Sequence, residues 1–334
     1  MATTPEPGEP ATQIQSPRDS AIASPGWASS TCSVHSEDLE YWRLGNRLYG
    51  RGFPFPADDR AREDHDARHA VFKKALKDRS FCAPVRLEGA DVLELYTRTG
   101  ILAMEIADKN PACSVIGVDE SQMPEAWVPP NLQFEVCNLE DNDDWTWRQR
   151  RFRFIIIRQH GVFVKDLPGL IRRCSEILED GGWIEFQLLT LGHYSQSEQQ
   201  APMGKKSKIQ DIHGYLSHGL AALGRQLDIH DKLPRILEEN SFHNLEHRGF
   251  PVPLGRWPKD EELKDLGHLW LDVLYWELEA LMLLPLSVGL KWDYHLIQLF
   301  LADLRNELTQ CEGLKMLTEV HVVYAQKVCE GRTT

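Results

Sequence analysis

At 334 residues the chain has the length of one large domain with additions, or of two smaller ones. A hydrophobic share of 42% fits a globular protein, and a net charge of −13 with no basic stripe speaks against nucleic acid as a partner. Seven scattered cysteines without a Cys-x-x-Cys pair speak against a disulfide framework or a zinc site and suit a reduced compartment.

The chain opens on residues 1–36, rich in Pro, Ser, Thr, Ala and Glu, which are expected to stay disordered because they bury too little surface to offset ordering entropy. The N-terminus has no charged start followed by an apolar stretch and is not Arg-rich. Neither a secretory nor a mitochondrial address is expected. The expected location is cytoplasmic, with the nucleus as the alternative and no membrane partner. Indeed the most apolar run, Leu278 to Leu290, is broken by Pro285 and falls short of the roughly 20 residues a bilayer span requires.

Residues 37–80 read as an N-terminal helical lid. Tyr41, Trp42 and Tyr49 come first, then the extended link Phe53-Pro54-Phe55-Pro56. Asp58-Asp59 can cap a helix running to about Lys77, with Ala61, His65, Arg68, His69 and Phe72 along one face. From Phe81 onward short apolar runs alternate with helical patterns. The strands are expected at Val92–Leu95, Ser114–Val118, Leu132–Cys137, Phe152–Ile157 and Gly182–Leu189. Helices are expected at Ile101–Lys109 and at Leu167–Glu179, the latter ending at Gly181-Gly182. This is an α/β pattern: a mostly parallel sheet with helices on both faces, binding its ligand at the strands' carboxyl ends.

The second half carries helical stretches at Ile209–Leu227 and Leu233–Glu239, then a strand around Leu245–Leu254 interrupted by Pro251 and Pro253. Long helical regions follow at Glu261–Leu284 and Trp292–Leu308. In the last segment, Glu319–Val328, Val320, Val322 and Tyr324 alternate with His321, Val323 and Ala325, which reads as a final strand.

The whole is organised around Asp91 to Leu102: a strand, the turn Tyr96-Thr97-Arg98-Thr99-Gly100, and a helix start. A helix N-terminus offers free N–H groups and a positive dipole end, so this is a nucleotide cradle. Such cradles use glycines so that the backbone can turn tightly and lie against the ligand. Here Gly100 remains, while Tyr96 and Arg98 stand in the other two places.

Further strings complete the pattern: Ser114-Val-Ile-Gly-Val-Asp119, Trp127-Val-Pro-Pro-Asn131, Phe134-Glu135, Asp144-Trp145-Thr146-Trp147, Phe154-Ile155-Ile156 with Arg158, Lys165-Asp166-Leu167 and Gly181-Gly182-Trp183-Ile184-Glu185. Late in the chain come Val252-Pro253-Leu254-Gly255, Trp257-Pro258-Lys259-Asp260 and Val322-Val323-Tyr324. Through these residues the chain resembles the LaeA-like family of fungal methyltransferases, class I proteins that use S-adenosylmethionine. The resemblance runs from about Glu37 to the C-terminus. It implies a Rossmann-like, seven-stranded sheet with the last strand antiparallel, a methyltransferase-like domain over residues 81–330, and helical cap insertions at about 192–241 and 261–312 over a substrate cavity.

The resemblance also implies roles. Glu94 stands where the family has an acid beside the first turn, able to hold the cofactor's ammonium; the alternative is a strand-end charge in solvent. Asp119 ends the second strand, where an acid can accept both ribose hydroxyls; the alternative is a cap for the segment at Ser121. Asn138 aligns with a position that is usually Asp and contacts the adenine amine; its amide oxygen still accepts that bond. Tyr96 departs by projecting into the methionine or ribose space, and Arg98 by pairing with the cofactor carboxylate or with Glu94. Alternatively both point outward over a rearranged turn. Either departure weighs against binding of S-adenosylmethionine.

His160, after the fourth strand, is the candidate base, against the reading of a hydrogen-bonded loop histidine. His213 and His218 fall in the cap. His243 and His247 resemble a metal pair by spacing, but no third ligand is evident and no metal is expected. In the stripe Trp270, Val273, Leu274, Trp276, Leu281, packing is the expected role, with Trp276 as a wall for a flat aromatic substrate. Three functions follow: a protein of secondary metabolism with impaired methyl transfer that acts on or shelters a small pathway intermediate; an active small-molecule methyltransferase; or a regulatory binding protein with partner proteins of the pathway.

Overall fold

The computed structural model describes residues 41–50, 54–121, 127–140, 145, 147, 149–159, 164–195, 207–227 and 229–329. The expected tail, residues 1–36, and His160 lie outside them. The apolar runs form one mixed sheet, with strands β3 (Asp91–Leu95), β4 (Ser114–Asp119), β5 (Leu132–Val136), β6 (Phe152–Gln159) and β7 (Leu178–Leu189) mutually parallel in the order β5-β4-β3-β6-β7. The closing strand β10 (Met316–Lys327) lies antiparallel to β7; β9 (Phe242–Pro253) and the two-residue β8 (Tyr194–Ser195) pair with β10. A separate hairpin, β1 (Tyr41–Leu44) and β2 (Arg47–Gly50), precedes the sheet.

Seven helices are described. They are α1 (Asp59–Ala75), α2 (Ile101–Lys109), α3 (Leu167–Ile177), α4 (Lys208–Ala222), α5 (Leu233–Glu239), α6 (Glu261–Leu284) and α7 (Tyr294–Leu308). Side chains alternate across a strand, so each strand feeds both faces. Val92, Val320 and Val322 join Phe72, Ile106 and Trp270 in a core with α1, α2 and α6. Leu93, Leu95 and Val323 join Leu170, Cys174 and Leu237 in a second core with α3 and α5.

Several boundaries differ from the sequence reading, among them the following. Helix α1 stops at Ala75 because Lys77 and Asp78 turn to φ +53° and +59°. Helix α3 stops at Ile177; Leu178 already pairs with Phe152, so β7 begins before Gly181-Gly182 instead of after it. Helix α4 ends at Ala222, before Gly224 at φ +72°. Pro251 and Pro253 do not interrupt β9, which pairs with β10 along one side only, as an edge strand that tolerates proline must.

A buried polar network joins α1 to the sheet. Arg158 on β6, 4% exposed, donates Nε to Gln187 Oε1 (2.5 Å) and Nη2 to the Ser80 carbonyl (3.0 Å), while its Nη1 meets His69 Nδ1 at 2.8 Å. His69 Nε2 in turn meets Glu105 Oε2 on α2 at 2.9 Å. Glu185 receives the Cys82 and Ala83 N–H groups. Burial lowers the His69 pKa to about 4, so the ring joins the network neutral.

The ring of Phe134 lies across Gly100 and Gly117, where an added Cβ would overlap its carbons, at 2.7 Å in the case of Gly117. Gly100 also sits at φ +78°, in left-handed space. Gly89, at φ +64°, has open space around it. Gly100→Ala should therefore cost roughly 2–5 kcal/mol, backbone strain plus overpacking, and Gly89→Ala only about 1–2 kcal/mol. Equal losses in denaturant melts would remove Phe134 as the reason.

Candidate functional site

Strand β3 delivers its carboxyl end into the turn 96–100, and α2 starts at Ile101. The turn alternates left-handed residues: Tyr96 at φ +59°, Arg98 at φ +57° and Gly100 at φ +78°. The backbone path of a glycine-rich cradle is therefore kept, although two of its three left-handed positions carry large side chains. Each costs about 1–2 kcal/mol of backbone strain. Three bonds hold the path: Thr97 N–H to the Val118 carbonyl (2.9 Å), Gly100 N–H to the Thr97 carbonyl (2.9 Å), and Arg98 N–H to Asp119 Oδ2 (3.0 Å).

The side chains of the turn go to different places. Tyr96 turns inward, is 3% exposed, and packs in the second core, which also holds Leu139, Trp145 and Trp147. Its hydroxyl has no hydrogen-bond partner among the described residues, and burial together with the charges of Glu120 and Glu140 pushes its pKa far up. Arg98 points to the other side, where Nη1 approaches Asp119 Oδ1 at 3.9 Å; its ion pair is with Asp119 and not with Glu94. Beyond Tyr96, Glu140 receives Arg225 Nη1 at 2.9 Å and pairs with Lys165 at 3.3 Å, which ties the α4–α5 connection and the start of α3 together.

The two acids are both enclosed. Glu94 is 2% exposed and accepts the Thr97 hydroxyl at 2.5 Å; burial raises its pKa to about 7. Asp119 is 1% exposed, and Oδ1 accepts both the Ser121 N–H (3.0 Å) and the Ser121 hydroxyl (2.7 Å). Asp119 is thus bonded to Ser121 and to the Arg98 N–H, with the Arg98 guanidinium nearby. Asn138 is exposed, and its Oδ1 accepts the Glu140 N–H at 3.0 Å.

A cleft of about 700 Å3, counting its open mouth, lies on the Arg98 side of the turn. Helix α1 presents Asp64, His65 and Arg68 to it, α6 presents Glu277 and Leu281, and Phe55 and Pro56 close one end. Arg98, Thr99 and Ser121 bring it against the cradle. His65 Nδ1 meets the Thr99 hydroxyl at 3.2 Å, and burial beside Arg68 and Arg98 holds the ring well below its ordinary pKa. Arg68 donates Nε to Glu277 Oε2 (3.3 Å) in a buried ion pair.

Sequence reasoning named His65 and Arg68 on the lid but passed over Asp64 and Glu277. Glu277 had a signal. It falls at the helical spacing of Val273, Leu274 and Leu281, so an acid stood at a core position. Trp276 is 60% exposed and stands outside the cleft, so it does not wall it. His218 Nδ1 contacts the Gly214 carbonyl, and His213 lies beside Gly192; neither lines the cleft. His243 and His247 do not come together with a third ligand, and no group of three metal-type ligands occurs among the described residues. No described helix is long and apolar enough to cross a membrane.

The strand order 5-4-3-6-7-10-9 with β10 reversed, and an acid at the carboxyl end of each of β3 and β4, define a class I methyltransferase fold. Residues 67–245 match the family model described as a methyltransferase domain. The chain is 30% identical to the methyltransferase pytC of Aspergillus terreus, over 90% of this chain and 92% of that protein. It is 26% identical to the secondary metabolism regulator LAE1 of Cochliobolus heterostrophus, over 90% and 98%. With the protein-methionine methyltransferase laeA of Emericella nidulans it shares 24%, over 88% and 79%. The chain belongs to the methyltransferase-domain family, whose cofactor is S-adenosylmethionine.

In the cradle the polar groups are bonded within the chain: Tyr96 packs in the core on the inner side, the Arg98 N–H and Ser121 donate to Asp119, and the Thr97 hydroxyl donates to Glu94.

Because the folded pKa of Glu94 is raised from about 4.5 to about 7, its protonated form stabilises the fold below pH 4.5, and that stability is lost as pH rises through 7. Glu94→Gln removes this dependence. Its stability relative to the unaltered chain should improve by about 2 kcal/mol between pH 5 and pH 8. A pH-independent difference would show that Glu94 is not buried as a carboxyl.

Proposed function

We propose that this chain is a methyltransferase-family protein of fungal secondary metabolism that holds a small pathway intermediate in the cleft between α1 and α6, with methyl transfer slowed by a cofactor site partly filled by its own side chains. One observation carries the reading. The third cradle glycine, Gly100, is demanded by packing under Phe134 and is present; the two positions that would face a ligand carry Tyr96 and Arg98. The fold's requirement is met where the ligand's is not. The relatives' names support the setting, since pytC is a methyltransferase and LAE1 a regulator of secondary metabolism.

S-adenosylmethionine supplies a sulfonium methyl donor. The residues of this chain would first have to release Asp119 from Arg98 and Ser121 and move the Tyr96 ring. A second reading, an active small-molecule methyltransferase, is favoured by the retained left-handed backbone path and by the acids at the carboxyl ends of β3 and β4. The cytoplasm, with the nucleus as alternative, and small-molecule rather than nucleic-acid partners complete the proposal.

Calorimetric titration with S-adenosylmethionine separates the two. The unaltered chain should bind more weakly than about 100 μM, and Arg98→Gly should tighten binding by roughly ten-fold, since it removes the guanidinium beside Asp119 and relieves backbone strain. Tyr96→Gly in addition should tighten it further, at a cost of roughly 3–5 kcal/mol in stability for the emptied core. Micromolar affinity in the unaltered chain ends the impaired reading in favour of the active one.

A further inference from the structure

The cleft beside the cradle is lined by many charges, and almost all of them are matched. Asp58 receives Arg47 through Nε at 2.8 Å and Nη2 at 2.9 Å. Glu277 holds Arg68. Arg62 pairs with Asp59 at 2.7 Å, and Arg98 with Asp119. His65 stays neutral, since burial and the neighbouring arginines suppress its protonation.

Asp64 is the exception. It is 8% exposed, lines the cleft, and its Oδ2 is buried with no hydrogen-bond partner among the described residues. Burial raises its pKa above the ordinary carboxylate value, against the opposing fields of Arg68, Arg47 and Arg60. All three are engaged by other acids: Glu277, Asp58 and Glu279. A buried carboxylate oxygen without a donor costs several kcal/mol, and natural structures rarely leave one so. Placed on a cleft wall, it defines what the cleft lacks: one positive hydrogen-bond donor. The apolar part of the lining is Phe55, Pro56, Ala61, Ala280 and Leu281.

We propose that Asp64 receives the protonated amine of a small molecule whose apolar, ring-bearing body lies against Phe55, Pro56 and Leu281. The amine is a handle that fixes orientation, and its pairing with Asp64 completes the charge balance of the cleft. A neutral hydroxyl in the same place satisfies the oxygen but leaves the charge uncompensated, so the site discriminates between amine and alcohol. This rests on the reading of the α1–α6 cleft as the small-molecule site, and not on how S-adenosylmethionine binds.

The test is calorimetry on the full chain at pH 7.5 with no S-adenosylmethionine added, using tryptamine and its neutral hydroxyl counterpart tryptophol. Tryptamine should bind about ten-fold tighter than tryptophol, the difference made by one charge-assisted bond. Asp64→Asn should bring the two within about two-fold by weakening tryptamine alone. Equal affinities, no tryptamine binding at millimolar concentration, or an unchanged preference in Asp64→Asn would each overturn the assignment. The two-ligand comparison on the unaltered chain stands even if the variant folds poorly. Weak S-adenosylmethionine binding bears only on the cofactor reading, so the two can fail separately.

Discussion

The ring of Phe134 resting on Gly100 and Gly117 is the contact from which the rest of the site follows. It joins β5, β4 and the start of α2, and it leaves no room for a side chain at the end of the turn. With Gly100 so pinned, the backbone between Leu95 and Ile101 has only a narrow choice of paths. Tyr96 and Arg98 are then forced into left-handed conformations that large residues normally avoid. Their side chains leave the turn on opposite sides. One becomes part of the core against α3 and α5; the other reaches Asp119 and forms part of a cleft wall.

The cleft owes its shape to a second constraint. Arg158, His69 and Glu105 link β6, α1 and α2 through buried hydrogen bonds, and Arg68 with Glu277 ties α1 to α6. Buried polar networks of this kind stabilise only when every member is satisfied, and they then fix one arrangement of the elements that carry them. Here they hold the lid helix at one rotation, with Asp64, His65 and Arg68 facing the cleft, Arg68 about one helical turn beyond the other two. The turn 96–100 and the cleft beside it are thus two results of one packing scheme.

Much of the architecture was legible in the chain itself. The parallel strands, the reversed β10, and helices α2, α5 and α6 fall where periodicity puts them, since alternation and 3.6-residue spacing report burial directly. The ends of α1, α3 and α4 were less legible. They depend on residues such as Lys77 in left-handed space, and on Leu178 finding Phe152 across the sheet. Pro251 and Pro253 looked like a break, yet an edge strand needs hydrogen bonds on one side only. In the site, the turn and both acids could be located by sequence position. That Arg98 chooses Asp119 over Glu94 could not, because a flexible arginine has both acids within reach along the chain.

The sequence by itself determined an α/β sheet with a cradle at residues 96–100 that has large side chains at two glycine places, because these are local properties: periodicity, a strand end, a missing Cβ; the class I methyltransferase fold was implied by the family resemblance. Only the tertiary structure decided that Tyr96 turns inward, that Asp119 and Glu94 are already engaged, and that Asp64 Oδ2 finds no donor among the described residues. Those outcomes depend on which residues far apart in the chain share one small volume. There, hydrogen bonds and ion pairs are won by distance and burial rather than by order along the backbone.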